Sequence, residues 1–417
     1  MRITRFSQDA GAAAIRGLAP PPRAVEEDVR AILAAVRADG DDALRAETRR
    51  LDGVDLGARA LRVSAAELES AAELLDADVR AAIETALANV QTVARGQIGE
   101  DRTIELAGGQ RIELRELAVA RAGAYIPSGR APYPSSVVMC AATALAAGVA
   151  RLAVCVAPGP DGSPDPIVLA ACWLCGVDEV YRVGGAQAIA ALAYGTDSIP
   201  AVDVIVGPGN AWVQEAKRQV AGIVGLDGIA GPSELVVVAG DGVDAEPIAL
   251  DLLAQAEHGE DGLLALITTD AALADRVAAL CAELPPERPS VCDAALAIVV
   301  LQELEAAVAL ADELAPEHLE LLGEGPMALL DRVRRAGAVF AGTATAFGDY
   351  VAGSNHVLPT GGAGRFQSAL SVQTFRRRMA CVTIDDQAAR TLAGPGGVLA
   401  RAEGFPVHAE SMEVRAR

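Results

Sequence analysis

Lysine and histidine are scarce in this sequence. Among 417 residues there is one lysine, Lys217, and there are four histidines, whereas arginine carries nearly all of the positive charge. Schiff-base or P-loop chemistry would have to use Lys217, and no G-x-x-x-x-G-K-[ST] motif surrounds it. Because imidazole is a common general base and metal ligand at neutral pH, the surroundings of His258, His318, His356 and His408 are informative.

Aromatic residues and net positive charge are also lacking. Phe, Trp and Tyr make up 3% of the chain, and 56 acidic side chains oppose 35 basic ones, giving a formal net charge of -21. Proteins that bind the phosphate backbone of a nucleic acid need a basic face. Proteins that bind single-stranded nucleic acid usually stack its bases on aromatic side chains. We therefore expect no nucleic-acid partner.

Long hydrophobic runs are missing as well. The N-terminal sequence MRITRFSQDAG has no apolar signal-peptide core, and the longest apolar run, residues 137–150, is too short to span a bilayer and predicts a buried helix. Seven cysteines, an odd number, are scattered through apolar stretches, which is typical of core packing in a reducing cytosol. We expect a cytoplasmic protein without a membrane partner.

Short β-branched runs alternate with alanine-rich helical stretches after a largely helical region of 120 residues and a turn rich in Pro and Gly at 125–136. The runs are LAVCVA (152–157), VYRVGG (180–185) and VDVIVG (202–207), then LVVVAG (235–240), LLALIT (263–268), LAIVVL (296–301) and AVFAG (338–342). This alternation predicts an α/β protein with parallel sheets covered on both faces. The two series predict two similar doubly wound domains, and the polar tail after Leu370 predicts a small terminal arm.

Two glycine-containing turns each leave a predicted strand and open a predicted helix, GGAQ (184–187) and GPGN (207–210). Backbone N–H groups at such a helix start can hold a phosphate or the polar edge of a ligand. Tight strand-to-helix turns need glycine for steric reasons alone, and no G-x-G-x-x-G motif is present. Nucleotide binding and plain turn geometry therefore both remain open from these residues.

Several potential metal ligands accompany the histidines. Gln255 and His258 are three residues apart at the end of a predicted helix, so they share one helix face, although a capping role explains such a pair equally simply. Asp349 lies in a glycine-rich segment after a strand, which also fits an Asx turn, and His408 lies in the C-terminal tail. These four residues offer only N and O donors, a set that suits catalytic Zn²⁺ or Mn²⁺.

Glu317 and His318 follow Pro316 in APEHLELL. Proline is favoured at the first helical position, so we predict that both residues lie in the first turn of a helix. The helix dipole would then favour an ionised Glu beside a neutral His, which makes two bases available at pH 7. An ordinary helix start with an acidic residue is the simpler alternative.

Eight strings of this sequence occur together in the order found in histidinol dehydrogenases. They are YIPSGRAPYPSSVVM, RVGGAQAIAALAYGT, VGPGNAWVQEAKR, GLDGIAGPSEL, LLAQAEHG, APEHLEL, GDYVAGSNHVLPTGG and AEGFPVHAE. The chain resembles this family from about Tyr125 to His408, and all four histidines and the single lysine lie within the matching strings.

The resemblance implies an NAD-dependent, four-electron oxidation of L-histidinol through histidinaldehyde to L-histidine, the last step of histidine biosynthesis. It implies one Zn²⁺ per subunit and a homodimer in which the C-terminal arm completes the neighbouring site. The implied roles are zinc ligands Gln255, His258, Asp349 and His408, catalytic residues Glu317 and His318, NAD contacts Tyr125, Gln187 and Asn210, and substrate contacts Ser233, His356 and Glu403 together with Gln255, His258, His318, Asp349 and His408.

With this resemblance, we expect two incomplete Rossmann-like domains, a helical N-terminal region and a small C-terminal arm. The expected division is an N-terminal segment at 1–20, a first α/β domain at 21–124 plus 234–370 carrying most metal and catalytic residues, a second, NAD-contacting α/β domain at 125–233, and an arm at 371–417.

Two departures from the family pattern concern loops. The segment between Gly342 and Asp349 is shorter than is usual in the family, and Ser128 stands where a glycine is common. Three rival functions remain open: a related zinc- and NAD-dependent dehydrogenase acting on another small alcohol or diol, a zinc hydrolase without a nucleotide, and a non-catalytic metal-binding protein.

Overall fold

The computed structural model describes residues 1–20 and 24–417. Within these residues the strands form one six-stranded sheet, one five-stranded sheet and one three-stranded sheet. The two larger sheets are parallel throughout, and the smallest is antiparallel. This arrangement confirms the predicted α/β fold.

The strands lie in chain order at β1 (Arg2–Phe6), β2 (Arg102–Glu105), β3 (Arg111–Ala118), β4 (Arg121–Ile126), β5 (Arg151–Val156), β6 (Glu179–Tyr181), β7 (Val204–Val206), β8 (Gly225–Leu226), β9 (Glu234–Ala239), β10 (Leu263–Thr268), β11 (Ala295–Val300), β12 (His318–Leu322), β13 (Ala338–Ala341) and β14 (Arg376–Thr383). The six-stranded sheet has the order β1-β11-β10-β9-β12-β13, and the five-stranded sheet has the order β6-β5-β4-β7-β8.

The α-helices lie at α1 (Ala12–Arg16), α2 (Glu26–Glu47), α3 (Ala65–Glu73), α4 (Ala77–Gly96), α5 (Pro134–Ala147), α6 (Pro166–Leu174), α7 (Gly185–Tyr194), α8 (Ala211–Val220), α9 (Ala245–Ala256), α10 (Ala271–Glu283), α11 (Leu304–Leu314), α12 (Glu324–Ala328), α13 (Thr345–Tyr350), α14 (Asp386–Ala402) and α15 (Pro406–Glu413). In this set, no helix is both long enough and apolar enough to cross a membrane.

The central strands are buried on both faces, which explains their continuous apolar sequences. Every residue of β9 and β10 is buried. Helices α9 and α10 cover one face of the six-stranded sheet, and α1 and α11 cover the other. Such double coverage is the rule for parallel sheets, because their connecting helices pack on both sides.

The helical N-terminal region packs on the five-stranded sheet. Helix α2 contributes to the core on one face with α7 and α8, and α3 and α4 contribute to the core on the other face with α5 and α6. The expected division placed 21–124 with the other α/β domain, so the observed packing differs from it. Gly40, within α2, has φ 53° and interrupts the helical geometry, and the helix continues beyond it.

The N-terminal segment and the C-terminal tail join other parts of the molecule. Strand β1 adds an edge strand to the six-stranded sheet beside β11. Strand β14 pairs with β3, which also pairs with β2, in the antiparallel sheet. Helices α14 and α15 pack against each other and expose apolar side chains, among them Val398 and Val407.

Candidate active site

The segment around Glu317 and His318 forms a strand start, so the prediction of a helix turn there is wrong. Helix α11 ends at Leu314, Ala315 adopts a left-handed conformation with φ 46°, and β12 begins at His318. Strand β12 lies between β9 and β13, and its five residues are all buried. Pairing with two neighbouring strands has outweighed the local preference of proline for a helix start, and the argument from a helix dipole does not apply.

The main chain of Glu234 contacts both members of the pair. Its N–H donates to Oε2 of Glu317 at 2.8 Å, and its carbonyl oxygen lies 3.1 Å from Nδ1 of His318. A carbonyl can only accept, so Nδ1 carries the hydrogen. A neutral His318 therefore has its lone pair on Nε2, which lies 3.3 Å from Oδ1 of Asp349.

Neighbouring charges shift the pKa values of His318 and Asp349. Burial alone would lower the pKa of His318, but the carboxylates of Glu317 and Asp349 raise this pKa well above its ordinary value. Burial would raise the pKa of Asp349, but the hydrogen bond from His318 and the charges of His318, His356 and His258 lower it. In the absence of other ligands, these carboxylates favour the protonated form of His318, whereas the sequence predicted a neutral histidine.

The candidate metal ligands Gln255, His258 and Asp349 lie in or just after two helices. Gln255 lies buried in the last turn of α9, His258 follows this helix and is exposed, and Asp349 is half-buried in α13. The Nε2 atom of Gln255 is buried and has no hydrogen-bond partner among residues 1–20 and 24–417. An unsatisfied buried donor is costly, so Nε2 is suited to a hydrogen-bond acceptor from outside the described chain, whereas a metal ion would bind the carbonyl oxygen Oε1 of the same side chain.

His356 connects the two α/β units. Its Nδ1 lies 2.8 Å from the backbone oxygen of Asp349, and its Nε2 lies 3.2 Å from Oγ of Ser136, near the start of α5. Burial lowers the pKa of His356. Both ring nitrogens therefore have protein partners. The neutral ring links the backbone of Asp349 to Ser136, which belongs to the unit with the five-stranded sheet.

The candidate nucleotide contacts lie at the edge where the strands of the five-stranded sheet end, here called its carboxyl edge. Tyr125 is the fifth residue of β4, Gln187 lies in the first turn of α7, and Asn210 caps the start of α8. The backbone N–H of Gly185 donates to the Tyr125 hydroxyl at 3.3 Å. Gln187 is fully buried, and neither atom of its side-chain amide has a partner in the described part of the chain.

The second turn needs glycine at 207 for a close backbone approach. Gly207 has φ 108°, and a Cβ there would lie 2.1 Å from the carbonyl oxygen of Tyr125. Lys217 is buried and donates to the carbonyl of Gly207 at 2.6 Å and to Asp227 at 2.7 Å, while Asp227 accepts from the N–H of Gly207 at 2.7 Å. The single lysine thus stabilises this turn.

The catalytic candidates face this region from the edge where the strands of the six-stranded sheet begin, its amino edge. Besides the contact of His356 with Ser136, Nη1 of Arg130 donates to the carbonyl of Glu257 at 3.1 Å. Arg130 follows β4, and Glu257 precedes His258. The site therefore lies between the carboxyl edge of one sheet and the amino edge of the other.

The histidinol dehydrogenase family model matches residues 21–416. The chain belongs to the histidinol dehydrogenase family. It is 48% identical to a histidinol dehydrogenase of Gluconobacter oxydans over 98% of this chain and 97% of that protein. It is 46% identical to one of Synechococcus over 94% of this chain and 92% of that protein. The crystal structure of a histidinol dehydrogenase from Elizabethkingia anophelis matches with a TM-score of 0.91 and 30% identity, covering 100% of this chain and 98% of that one. Family membership makes the chain an oxidoreductase of histidine biosynthesis.

Glu403 and His408, to which the resemblance assigns a substrate contact and a metal ligand, lie outside the cluster around Glu317 and His318. Both are exposed, His408 in α15 and Glu403 at the end of α14, and His408 packs its ring 5.4 Å from that of Phe405. In the described residues of a single chain, no group of three or more His, Cys, Asp or Glu side chains is arranged to hold a metal ion.

Two residues of this site were not found by sequence reasoning. Glu234 is an acidic residue at the head of the apolar run ELVVVA, and an acidic residue beginning a buried strand is an unusual pattern that could have identified it. Arg16 pairs with the Glu234 side chain at 2.8 Å from the N-terminal segment. Its sequence neighbourhood contains no motif, so only the fold identifies it.

Proposed function

We propose that this protein oxidises L-histidinol through histidinaldehyde to L-histidine, reducing two NAD⁺ and using one bound Zn²⁺ per subunit. The observation that carries the proposal is the placement of Glu317 and His318, both bonded to the Glu234 main chain, beside Asp349 and opposite two glycine turns. An acid–base pair facing a nucleotide-type turn suits proton removal coupled to hydride transfer.

The residues proposed for NAD are Tyr125, Gln187 and Asn210. The unpartnered amide of the buried Gln187 fits a polar group arriving from outside the chain. NAD supplies the hydride acceptor, which no side chain can replace. The protein's part is to hold the two turns of the five-stranded sheet open at their carboxyl edge, where ligands of parallel sheets usually bind.

The residues proposed for Zn²⁺ are Gln255, His258 and Asp349, with His408 of the partner subunit. These donors are nitrogen and oxygen atoms only, which suits a catalytic site with positions left for substrate. The bound ion would orient the substrate's imidazole and amine groups. The exposure of α15 in one chain supports a contribution across a homodimer, together with Glu403 of the partner subunit as a substrate contact.

The protein's own acid–base steps are carried by the pair at the start of β12. His318 has Nδ1 committed to the Glu234 carbonyl, so in the neutral ring Nε2 is the atom that would take the alcohol proton. Glu317 has Oε2 committed to the Glu234 N–H, so Oε1 would take a proton from the water that hydrates the aldehyde. Ser233, adjacent to Glu234, and His356 are proposed to line the substrate site.

The test is the oxidation of L-histidinol by the purified dimer. We expect NADH formation, with two NADH per L-histidine by absorbance and amino-acid analysis, loss of activity after chelation and recovery with Zn²⁺. Turnover of other small alcohols or diols but not of L-histidinol would support the related dehydrogenase instead. Absence of NAD⁺ binding by calorimetry would contradict any dehydrogenase reaction.

A further inference from the structure

We infer that Arg16 is a positioning residue for the reaction: it holds Glu234 and the turn after α11, and through them the Glu317–His318 pair. This inference rests on the proposed function, because it assigns a role to that pair. Arg16 does not touch the proposed catalytic atoms, so its effect would pass through Glu234 and the 314–316 turn.

Arg16 connects two backbone segments on either side of the pair. Its Nη1 donates to Oε1 of Glu234 at 2.8 Å, and its Nη2 donates to Oε2 at 3.4 Å. The same Nη2 also donates to the carbonyl oxygen of Leu314, the last residue of α11. One planar guanidinium therefore links the start of β9 to the residue that precedes the turn into β12.

The peptide groups of Glu234 set the orientation of both catalytic side chains. The N–H on one side of its Cα holds Glu317, and the carbonyl on the other side holds His318. Rotation of the Glu234 backbone would therefore move both contacts together. The Glu234 carboxylate restrains this rotation, because it is bound by Arg16 and by the N–H of Gly361 at 3.1 Å.

The turn that Arg16 holds is strained. Ala315 is the one non-glycine residue with positive φ in the described chain, at φ 46° and ψ 57°. In this conformation the Cβ of an L-residue lies too close to the following carbonyl oxygen, so neighbouring contacts must maintain it. The bond from Arg16 to the Leu314 carbonyl is such a contact, and it lies immediately before the strained residue.

The charges around Glu234 favour a cation at the position of Arg16. The Glu234 side chain is buried, and both burial and the nearby charge of Glu317 raise its pKa, whereas Arg16 and the N–H of Gly361 oppose this. Without Arg16, the repulsion between the negative charges of Glu234 and Glu317 would be less compensated. A lysine could supply the charge, but it lacks the fork that reaches two acceptors at once.

The experiment compares Arg16→Gln and Arg16→Lys with the wild-type dimer in L-histidinol oxidation. We expect kcat to fall between about tenfold and a hundredfold in Arg16→Gln, because a misplacement of about 1 Å at reacting groups can cost that much. Arg16→Lys should recover part of kcat. The KM for NAD⁺ and the zinc content should not change, since Arg16 touches neither proposed site.

A double variant separates positioning from stability. Removing Arg16 alone leaves a buried carboxylate unpaired, which can weaken folding, whereas Arg16→Gln with Glu234→Gln removes both charges. We expect the double variant to recover the melting temperature while kcat stays low. Arg5→Gln is the matched control, because Arg5 pairs with Asp275 on the surface of the same N-terminal segment and should leave kcat unchanged.

The outcomes distinguish this inference from the proposed function. If the wild type does not oxidise L-histidinol, the proposed function fails. If the wild type is active and Arg16→Gln keeps its kcat, or if the double variant recovers kcat together with stability, the positioning role is wrong. An equal loss of kcat in Arg5→Gln would also overturn it, because general docking of the N-terminal segment would then explain the effect.

Discussion

The two parallel sheets present opposite edges to the site. The five-stranded sheet contributes the residues after its strand ends, Tyr125, Gln187 and Asn210, as ligand sites of doubly wound sheets usually do. The six-stranded sheet contributes its strand beginnings, with Glu234 starting β9 and His318 starting β12. Similar architectures thus supply different parts of the site: turns suited to a ligand on one side, and side chains held by strand backbone on the other.

The two edges of the site are also stabilised by different kinds of contact. The 207–210 turn is held by Lys217 and Asp227, which are its neighbours in the sequence. The Glu317–His318 pair is held by Glu234, Arg16 and Gly361, which come from distant parts of the chain. Loss of the Lys217–Asp227 contacts should therefore disturb one turn only. The geometry of the Glu317–His318 pair, in contrast, should respond to changes in several elements of the chain.

The largest expected effect is at the strand-start edge. His318→Asn should lower kcat by about 10²–10⁴-fold, which is the usual contribution of a general base. NAD⁺ binding by calorimetry and zinc content should remain, because Asn replaces the ring without changing the turns of the other sheet. A variant that keeps wild-type turnover would contradict the assigned base.

At the turn edge the expected effect is on stability. Lys217→Met leaves Asp227 buried without its partner and should lower the free energy of unfolding by about 3–5 kcal/mol. Lys217→Met with Asp227→Asn should recover much of the loss in urea unfolding without NAD⁺. Arg5→Gln, which breaks an exposed pair, should leave the unfolding curve nearly unchanged.

A matched pair of glycine substitutions compares the two edges directly. A Cβ at 207 would lie 2.1 Å from the Tyr125 carbonyl, and a Cβ at 337 would lie 2.5 Å from the Glu317 carbonyl. Gly207→Ala should raise the KM for NAD⁺ about tenfold, which corresponds to about 1.4 kcal/mol. Gly337→Ala should instead lower kcat with the KM for NAD⁺ unchanged. The same kinetic change in both variants would remove the distinction between the edges.

The smallest expected effect concerns the strained turn. Ala315→Gly should relieve about 1–2 kcal/mol of left-handed strain, partly offset by about 0.5–1 kcal/mol of glycine entropy. The net result should be a slightly higher melting temperature by calorimetry. A clear decrease would mean that the Ala315 conformation is not strained in the folded protein.

Sequence patterns predicted the strands better than the catalytic segment. The run LLALIT matches β10 at both ends, because five consecutive apolar residues between Gly262 and two threonines suit a strand buried on both faces. APEHLEL was misassigned because the five residues of β12 are too few to show a period, and Pro316 is a typical helix-start signal. Pairing with β9 and β13, which is not local, determined the outcome.

The sequence by itself determined the α/β class, the two parallel sheets and the family, because buried parallel strands must be apolar and the motif strings retain their order. Only the tertiary structure decided that Glu234 holds Glu317 and His318, and that Arg16 reaches Glu234 from the N-terminal segment. The physical reason is that hydrogen bonds between residues far apart in the chain follow from how the elements pack, and they leave no periodic or spacing signal in the sequence around either partner.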